Sequence, residues 1–133
     1  MNALDTNVLV RYLTQDDARQ AAAAAAEIEG AAAKDERLRI QPLVLCELVW
    51  VLETAYGFGK TEILDVLDRI LRTRQFDVAD KDMVWHALAE YRHGKGDFSD
   101  YYIGRTNERD GAIPTLTFDK ALKGSARFRV LSA

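Results

Sequence analysis

Cys46 is the sole cysteine among 133 residues, which excludes an internal disulfide and a cysteine-rich zinc site. Cys46 lies among Leu45, Leu48 and Val49 and reads as a small buried hydrophobe rather than a reactive thiol. Long apolar runs are missing as well. The longest, Pro42 to Cys46 with its continuation Leu48 to Leu52, is interrupted by Glu47 and falls short of the ~20 residues of a membrane-spanning helix. The start, Met1-Asn2-Ala3-Leu4-Asp5, has neither a basic segment nor an apolar stretch of secretory type, so a cytoplasmic protein is expected. Histidine is scarce: His86 and His93 fall on or just beyond one helical stretch, form no metal-spaced pair and read as structural. A basic excess is also lacking, since the net charge is −3.

That charge is uneven. Residues 1–68 carry 6 basic and 12 acidic side chains, residues 69–133 carry 12 and 9. A surface that follows phosphates would therefore lie in the second half, the plainer alternative being solvated helix faces. Apolar residues make up 48% and charged residues 29%, a balance suited to one globular domain spanning residues 1–133.

Short apolar runs at Ala3–Leu4, Leu38–Ile40, Phe76–Ala79, Ala112–Leu116 and Phe128–Leu131 alternate with longer helical stretches, a pattern that predicts an α/β fold with a covered parallel sheet. Helices are expected from Thr6-Asn7, over Asp16 to Ala33, from Pro42 to about Ala55, over Lys60 to Arg72, over Lys81 to Arg92, and from Phe98 to about Asp110 with Gly111 as cap. The run Ala21 to Ala26 reads as helix with no chemistry in it. Gly94-Lys95-Gly96 reads as a flexible approach to the last helix.

Four acids need explaining. Asp5 follows the first strand, and ligands of open parallel sheets bind beyond the strands' carboxyl ends; the plainer reading is a helix cap. Glu47 is surrounded by apolar residues, so it is expected to be buried and either to pair with an arginine or to bind a metal. Asp97 and Asp100 open a helix, where both can serve as capping groups, and Asp100 at that position can also reach the crevice of Asp5. Asp119 follows the Ala112–Thr117 strand; if that strand lies beside the first, the two acids come from neighbouring strand ends ~5 Å apart. Oxygen ligands without cysteine or paired histidine suit Mg²⁺ or Mn²⁺.

With these residues in place, the sequence resembles the PIN-domain ribonucleases, and among them the VapC toxins of prokaryotic toxin–antitoxin pairs. Leu4-Asp5-Thr6-Asn7-Val8-Leu9 is similar to the family's N-terminal signature, Glu47 falls on the expected helix, Asp100 opens the expected late helix, and Thr117-Phe118-Asp119-Lys120 is similar to the final acidic motif. Tyr101-Tyr102-Ile103-Gly104 departs from the small-and-aliphatic run usual after the acidic residue. The resemblance implies a three-layer α/β/α sandwich around a mostly parallel sheet of about five strands, a homodimer, and a VapB-like antitoxin as partner. It also implies Mg²⁺- or Mn²⁺-dependent endonucleolytic cleavage of RNA.

Asp5, Glu47, Asp100 and Asp119 are the expected catalytic metal ligands, with Thr6, Asn7, Asp97 and Thr117 as a second tier. Arg92, Lys95, Arg105 and Lys120 are the expected RNA-backbone contacts. The rival readings are a phosphoryl-transfer or receiver domain and a catalytically silent PIN-like scaffold that binds RNA or protein. The first fits poorly, because position 7 is Asn where a dehalogenase-like phosphatase would want Asp.

Overall fold

Strand and helix alternate from the first residues onward in the computed structural model, which describes residues 1–133. In chain order the elements are β1 (Asn2–Ala3), α1 (Thr6–Thr14), α2 (Ala18–Ala33), β2 (Leu38–Ile40), α3 (Pro42–Tyr56), α4 (Lys60–Arg72), β3 (Phe76–Val78), α5 (Lys81–His93), α6 (Phe98–Arg109), β4 (Thr115–Thr117), a 3-10 turn (Lys120–Leu122) and β5 (Phe128–Val130). The fold is α/β, as the pattern predicts. The chain divides into two compact units, Met1–Asp80 and Lys81–Ala133. No helix is long and apolar enough to cross a membrane.

In the first unit three parallel strands lie in the order β1-β2-β3. Asn2 pairs with Leu38, and Leu38, Arg39 and Ile40 pair with Phe76, Asp77 and Val78. Two helices fill each crossover, the length a parallel connection needs. Leu38, Ile40, Phe76 and Val78 are buried with Leu9, Leu45, Leu48, Leu52, Ile63 and Leu67. Between the strands, Arg39 Nε meets its register partner Asp77 at 2.9 Å. Asp17 caps α2 by accepting from Gln20 N–H at 3.0 Å, so this helix starts two residues later than expected, because a capping residue stands outside the helix it caps.

In the second unit β4 and β5 form a separate parallel pair, Thr115 with Phe128 and Thr117 with Val130. The five parallel strands are thus shared between two sheets rather than one. The strand expected from Ala112 begins only at Thr115, since Pro114 has no amide hydrogen to give to a ladder.

Helices α5 and α6 join through Tyr91 and Phe98, whose rings meet edge to face with centroids 6.3 Å apart. Gly94 and Gly96 are not a flexible approach. A methyl group on Gly96 would stand 2.5 Å from Leu122 Cδ2, and one on Gly94 1.9 Å from Tyr101 Oη, so their small size lets Tyr101 and Leu122 pack closely. Tyr101 Oη also accepts from Gly96 N–H at 2.9 Å. The departure at Tyr101-Tyr102-Ile103-Gly104 has its reason here, because Gly104 leaves room for the Phe128 ring, which an added Cβ would meet at 2.6 Å.

Candidate active site

Asp5 stands at the carboxyl end of β1 as N-cap of α1, its Oδ1 accepting from Thr6 N–H at 2.7 Å. Asp5 thus caps the helix, and it also stands at a strand's carboxyl end, the kind of position at which ligands of open parallel sheets bind. Thr6 is buried, and its hydroxyl donates to Glu47 Oε1 at 3.4 Å. Asp5, Thr6, Asn7 and Glu47 line one cavity of about 380 Å³ together with Arg11.

Glu47 is exposed, which corrects its expected burial. Helix α3 buries Leu45, Leu48, Val49 and Leu52 on one side, and the i, i+4, i+7 set Leu43, Glu47 and Trp50 faces out. Leu43 and Trp50 are 69% and 68% exposed. The apolar residues around Glu47 in sequence are therefore not all around it in space. The arginine partner of the alternative reading is also missing. Arg11, the cation in the cavity, is held by Asp16 at 2.9 Å and Gln20 at 2.7 Å.

Arg11 is a residue the sequence reading passed over. It stands four positions after Asn7, on the same face of α1, which was the available signal. Its network extends to Tyr56, whose hydroxyl donates to Asp16 Oδ2 at 2.6 Å. The Tyr56 hydroxyl, with help from Thr14 and Arg11, brings the Asp16 carboxyl down to about 2.

In the second unit Asp97 and Asp100 form a capping box at the start of α6, Asp100 Oδ2 accepting from Asp97 N–H at 3.0 Å. Burial pushes the Asp100 carboxyl above the usual carboxylate range; the bond from Asp97 N–H opposes this, while the negative charges of Asp97 and Asp119 add to it. Asp119 caps the 3-10 turn, accepting from Ala121 N–H at 2.9 Å, and its own N–H donates to Thr117 Oγ1 at 3.0 Å.

The structure thus brings Asp5, Thr6, Asn7 and Glu47 together in one unit, and Asp97, Asp100, Thr117 and Asp119 in the other. Within neither unit do three or more His, Cys, Asp or Glu side chains stand as a metal-ligand group. The ladder neighbour of β4 is β5 and that of β1 is β2, so the two acidic strand ends do not come from hydrogen-bonded neighbours.

Among the expected RNA contacts, Arg105 is withdrawn: it is paired with Glu90, which Arg127 also reaches at 3.4 Å. Arg92, Lys95 and Lys120 are exposed. Burial, with the neighbouring Glu47 charge, pushes the half-buried Cys46 thiol up to about 11, so it is no nucleophile at neutral pH. A groove of about 300 Å³ runs between α1 and α2, lined by Val8, Ala23 and Ala24 with Asn7, Arg11 and Glu27 at its polar margin.

The PIN domain family model matches residues 3–127 of the chain. A protein named VapC ribonuclease from Aquifex aeolicus (strain VF5) is 27% identical over 123 residues, covering 92% of this chain and 90% of that protein. No solved structure matches the chain.

Proposed function

We propose that this chain, which belongs to the PIN-domain family, is a divalent-metal-dependent endoribonuclease and the toxin of a VapBC-type pair, its 133 residues acting as one PIN domain. The observation that carries the reading is the cavity shared by Asp5 and Glu47, with Thr6 donating to Glu47 and no cation paired to either carboxylate. The resemblance to a VapC ribonuclease along nearly its whole length supports the activity and the substrate.

The donors available in both units are carboxylate and hydroxyl oxygens, without thiolate or imidazole, and that set fits Mg²⁺ or Mn²⁺. Asp5 and Glu47 in the first unit and Asp100 and Asp119 in the second are the residues that would ligate one or two such ions. When bound, such an ion supplies Lewis acidity toward the phosphate. The chain's own residues do the rest. Thr6 fixes one Glu47 oxygen, and Asp5 spends Oδ1 on its cap and keeps Oδ2 for ligation. Thr117 and Ala121 N–H hold the Asp119 loop in place, and Asp97 fixes Asp100 through the capping box. Asn7 lines the same cavity as Asp5 and adds an amide for orienting ligands. One of the four carboxylates orients the attacking water. Arg92, Lys95 and Lys120 offset charge along the RNA backbone.

The partner is a VapB-like antitoxin that inserts an arginine toward Asp5 or Asp100. Its apolar anchors would occupy the groove of Val8, Ala23 and Ala24. The chain acts as a homodimer, for which the exposed Leu43 and Trp50 on α3 offer apolar area. The protein is placed in the cytoplasm. The deciding experiment incubates the purified protein with cellular RNA and Mg²⁺, then expresses the wild type with and without the gene product encoded beside it. Metal-dependent cleavage and toxicity relieved by that partner are expected; intact RNA and unimpaired growth with verified soluble protein would establish the silent scaffold instead.

A further inference from the structure

Arg11 is the one cation lining the cavity of Asp5 and Glu47, yet none of its bonds goes to either carboxylate. Its Nε donates to Gln20 Oε1 at 2.7 Å, and Nη1 donates to Asp16 Oδ1 at 2.9 Å and to Tyr56 Oη at 3.3 Å. Three helices therefore meet on this guanidinium: α1 carries it, α2 supplies Gln20 and the end of α3 supplies Tyr56. Asp16 comes from the connection between α1 and α2. Gln15 ends α1 in left-handed backbone, with φ at 56°, and this turn brings Asp16 back toward the helix just left. Asp16 is itself held there, accepting from Thr14 Oγ1 at 3.0 Å and from Tyr56 Oη at 2.6 Å.

Without those partners the guanidinium would find two others in its own cavity. An arginine fork is shaped for carboxylates, and an arginine seated on Asp5 or Glu47 excludes a divalent ion that needs the same oxygens. Even unmoved, an uncompensated positive charge beside those acids repels such an ion. Asp16 removes both effects, since its bond fixes the fork and its charge cancels that of Arg11. Folding gains little from the pair itself: Arg11 and Asp16 are 33% and 43% exposed, and ion pairs so exposed contribute little to stability.

We propose that Asp16 is a positioning residue for the acid cavity: with Tyr56 and Gln20 it holds Arg11 away from Asp5 and Glu47 and neutralises it, so that both carboxylates stay open to a divalent cation. The inference rests on the metal-dependent reading and deepens it.

Mn²⁺ binding tests it without cleavage, read from the EPR signal of the free ion as the whole chain is titrated. The site in question is the binding that Asp5→Asn removes. Asp16→Asn, which keeps the side chain's shape and deletes its charge, should raise the Kd of that site by about 10-fold, the low end of the losses caused by changing groups that support metal ligands. Adding Arg11→Gln should return the Kd to within about twofold of wild type, because the two changes are coupled through the competing cation. Such rescue separates positioning from bracing, since a brace that has lost one partner is loosened further by losing the second. Tyr56→Phe, a milder change, should raise the Kd by about 3-fold through the loss of one hydrogen bond, and its rescue by Arg11→Gln is the same test should Asp16→Asn fail to fold.

A double variant that binds Mn²⁺ no better than the single one overturns the proposal. The two readings fail separately. If wild-type protein binds Mn²⁺ at this site and folded Asp16→Asn binds it equally well, only the positioning role fails; if Asp5→Asn binds as much Mn²⁺ as wild type up to millimolar concentration, the metal reading of this cavity fails and the positioning role falls with it.

Discussion

The two units differ in charge and in how they hold their carboxylates. Residues 1–80 carry 9 basic against 14 acidic side chains, and residues 81–133 carry 9 against 7. In the first unit Asp16 is drawn below its usual range by hydrogen bonds from Tyr56, Thr14 and Arg11. In the second, Asp100 is pushed up by burial and by the charges of Asp97 and Asp119. An acid that is solvated and bonded is a structural asset, whereas one crowded by other acids awaits a positive charge from elsewhere. Asp16 is therefore a structural staple, whereas Asp100 has the environment that the proposed metal site calls for.

Removing one acid from each unit should have the largest effect. Asp5→Asn and Asp100→Asn should each lower RNA cleavage by more than ~100-fold, since even residues supporting a metal ligand cost about 10- to 100-fold when lost. Circular dichroism should show both proteins folded. Full activity in one of them would confine the chemistry to the other unit.

Next come changes to the interior. Leu48→Ala, at a fully buried position in the first unit, should cost about 2–5 kcal/mol. Gly104→Ala, which sets a methyl group against Phe128 in the second, should cost about 1–3 kcal/mol. Hydrogen exchange then reveals whether the units open independently: protection lost only in residues 81–133 of Gly104→Ala would separate them, and uniform loss would join them.

Smaller effects should appear on acidification, with opposite signs in the two units. The Asp16 carboxyl is near 2 when folded against an ordinary value of 3.8, so its contribution is whole above pH 3.8 and is lost as pH falls toward 2. The folded Asp100 value is raised, so its ionisation penalty is absent well below 3.8 and grows as pH rises toward the folded value. Tyr56→Phe should move the Asp16 titration upward, read by NMR of its carboxyl carbon. Mg²⁺ should move the Asp100 titration downward and raise Tm by mass action. An Asp100 titration indifferent to millimolar Mg²⁺ would count against its role as a ligand.

Much of the fold was legible in the sequence, because spacing alone decides where helices run. Lys60–Arg72 carries Ile63, Leu67 and Ile70 at helical intervals, and α4 has those bounds. Pro42 at the first turn and Gly57 in the left-handed region after α3 are local punctuation with local causes. The Asp5 cap and the Asp97–Asp100 box are local in the same sense. Burial is a different kind of property. Nine apolar neighbours in sequence suggested a buried Glu47, but a helix shows its neighbours to several directions, and only the packing of Leu45, Leu48 and Leu52 decided which side Glu47 would face.

The sequence by itself determined the elements, their α/β alternation, the acids at helix and strand ends, and the family likeness these carry, since each depends on a few contiguous residues. Only the tertiary structure decided that β4 pairs with β5, that Gly94 and Gly96 make room for Tyr101 and Leu122, that Arg105 belongs to Glu90, and that Arg11 shares the cavity of Asp5 and Glu47. Those facts join residues distant in the chain. Which distant partners meet is settled by competition among packing arrangements of the whole chain, and no short stretch of sequence records its outcome.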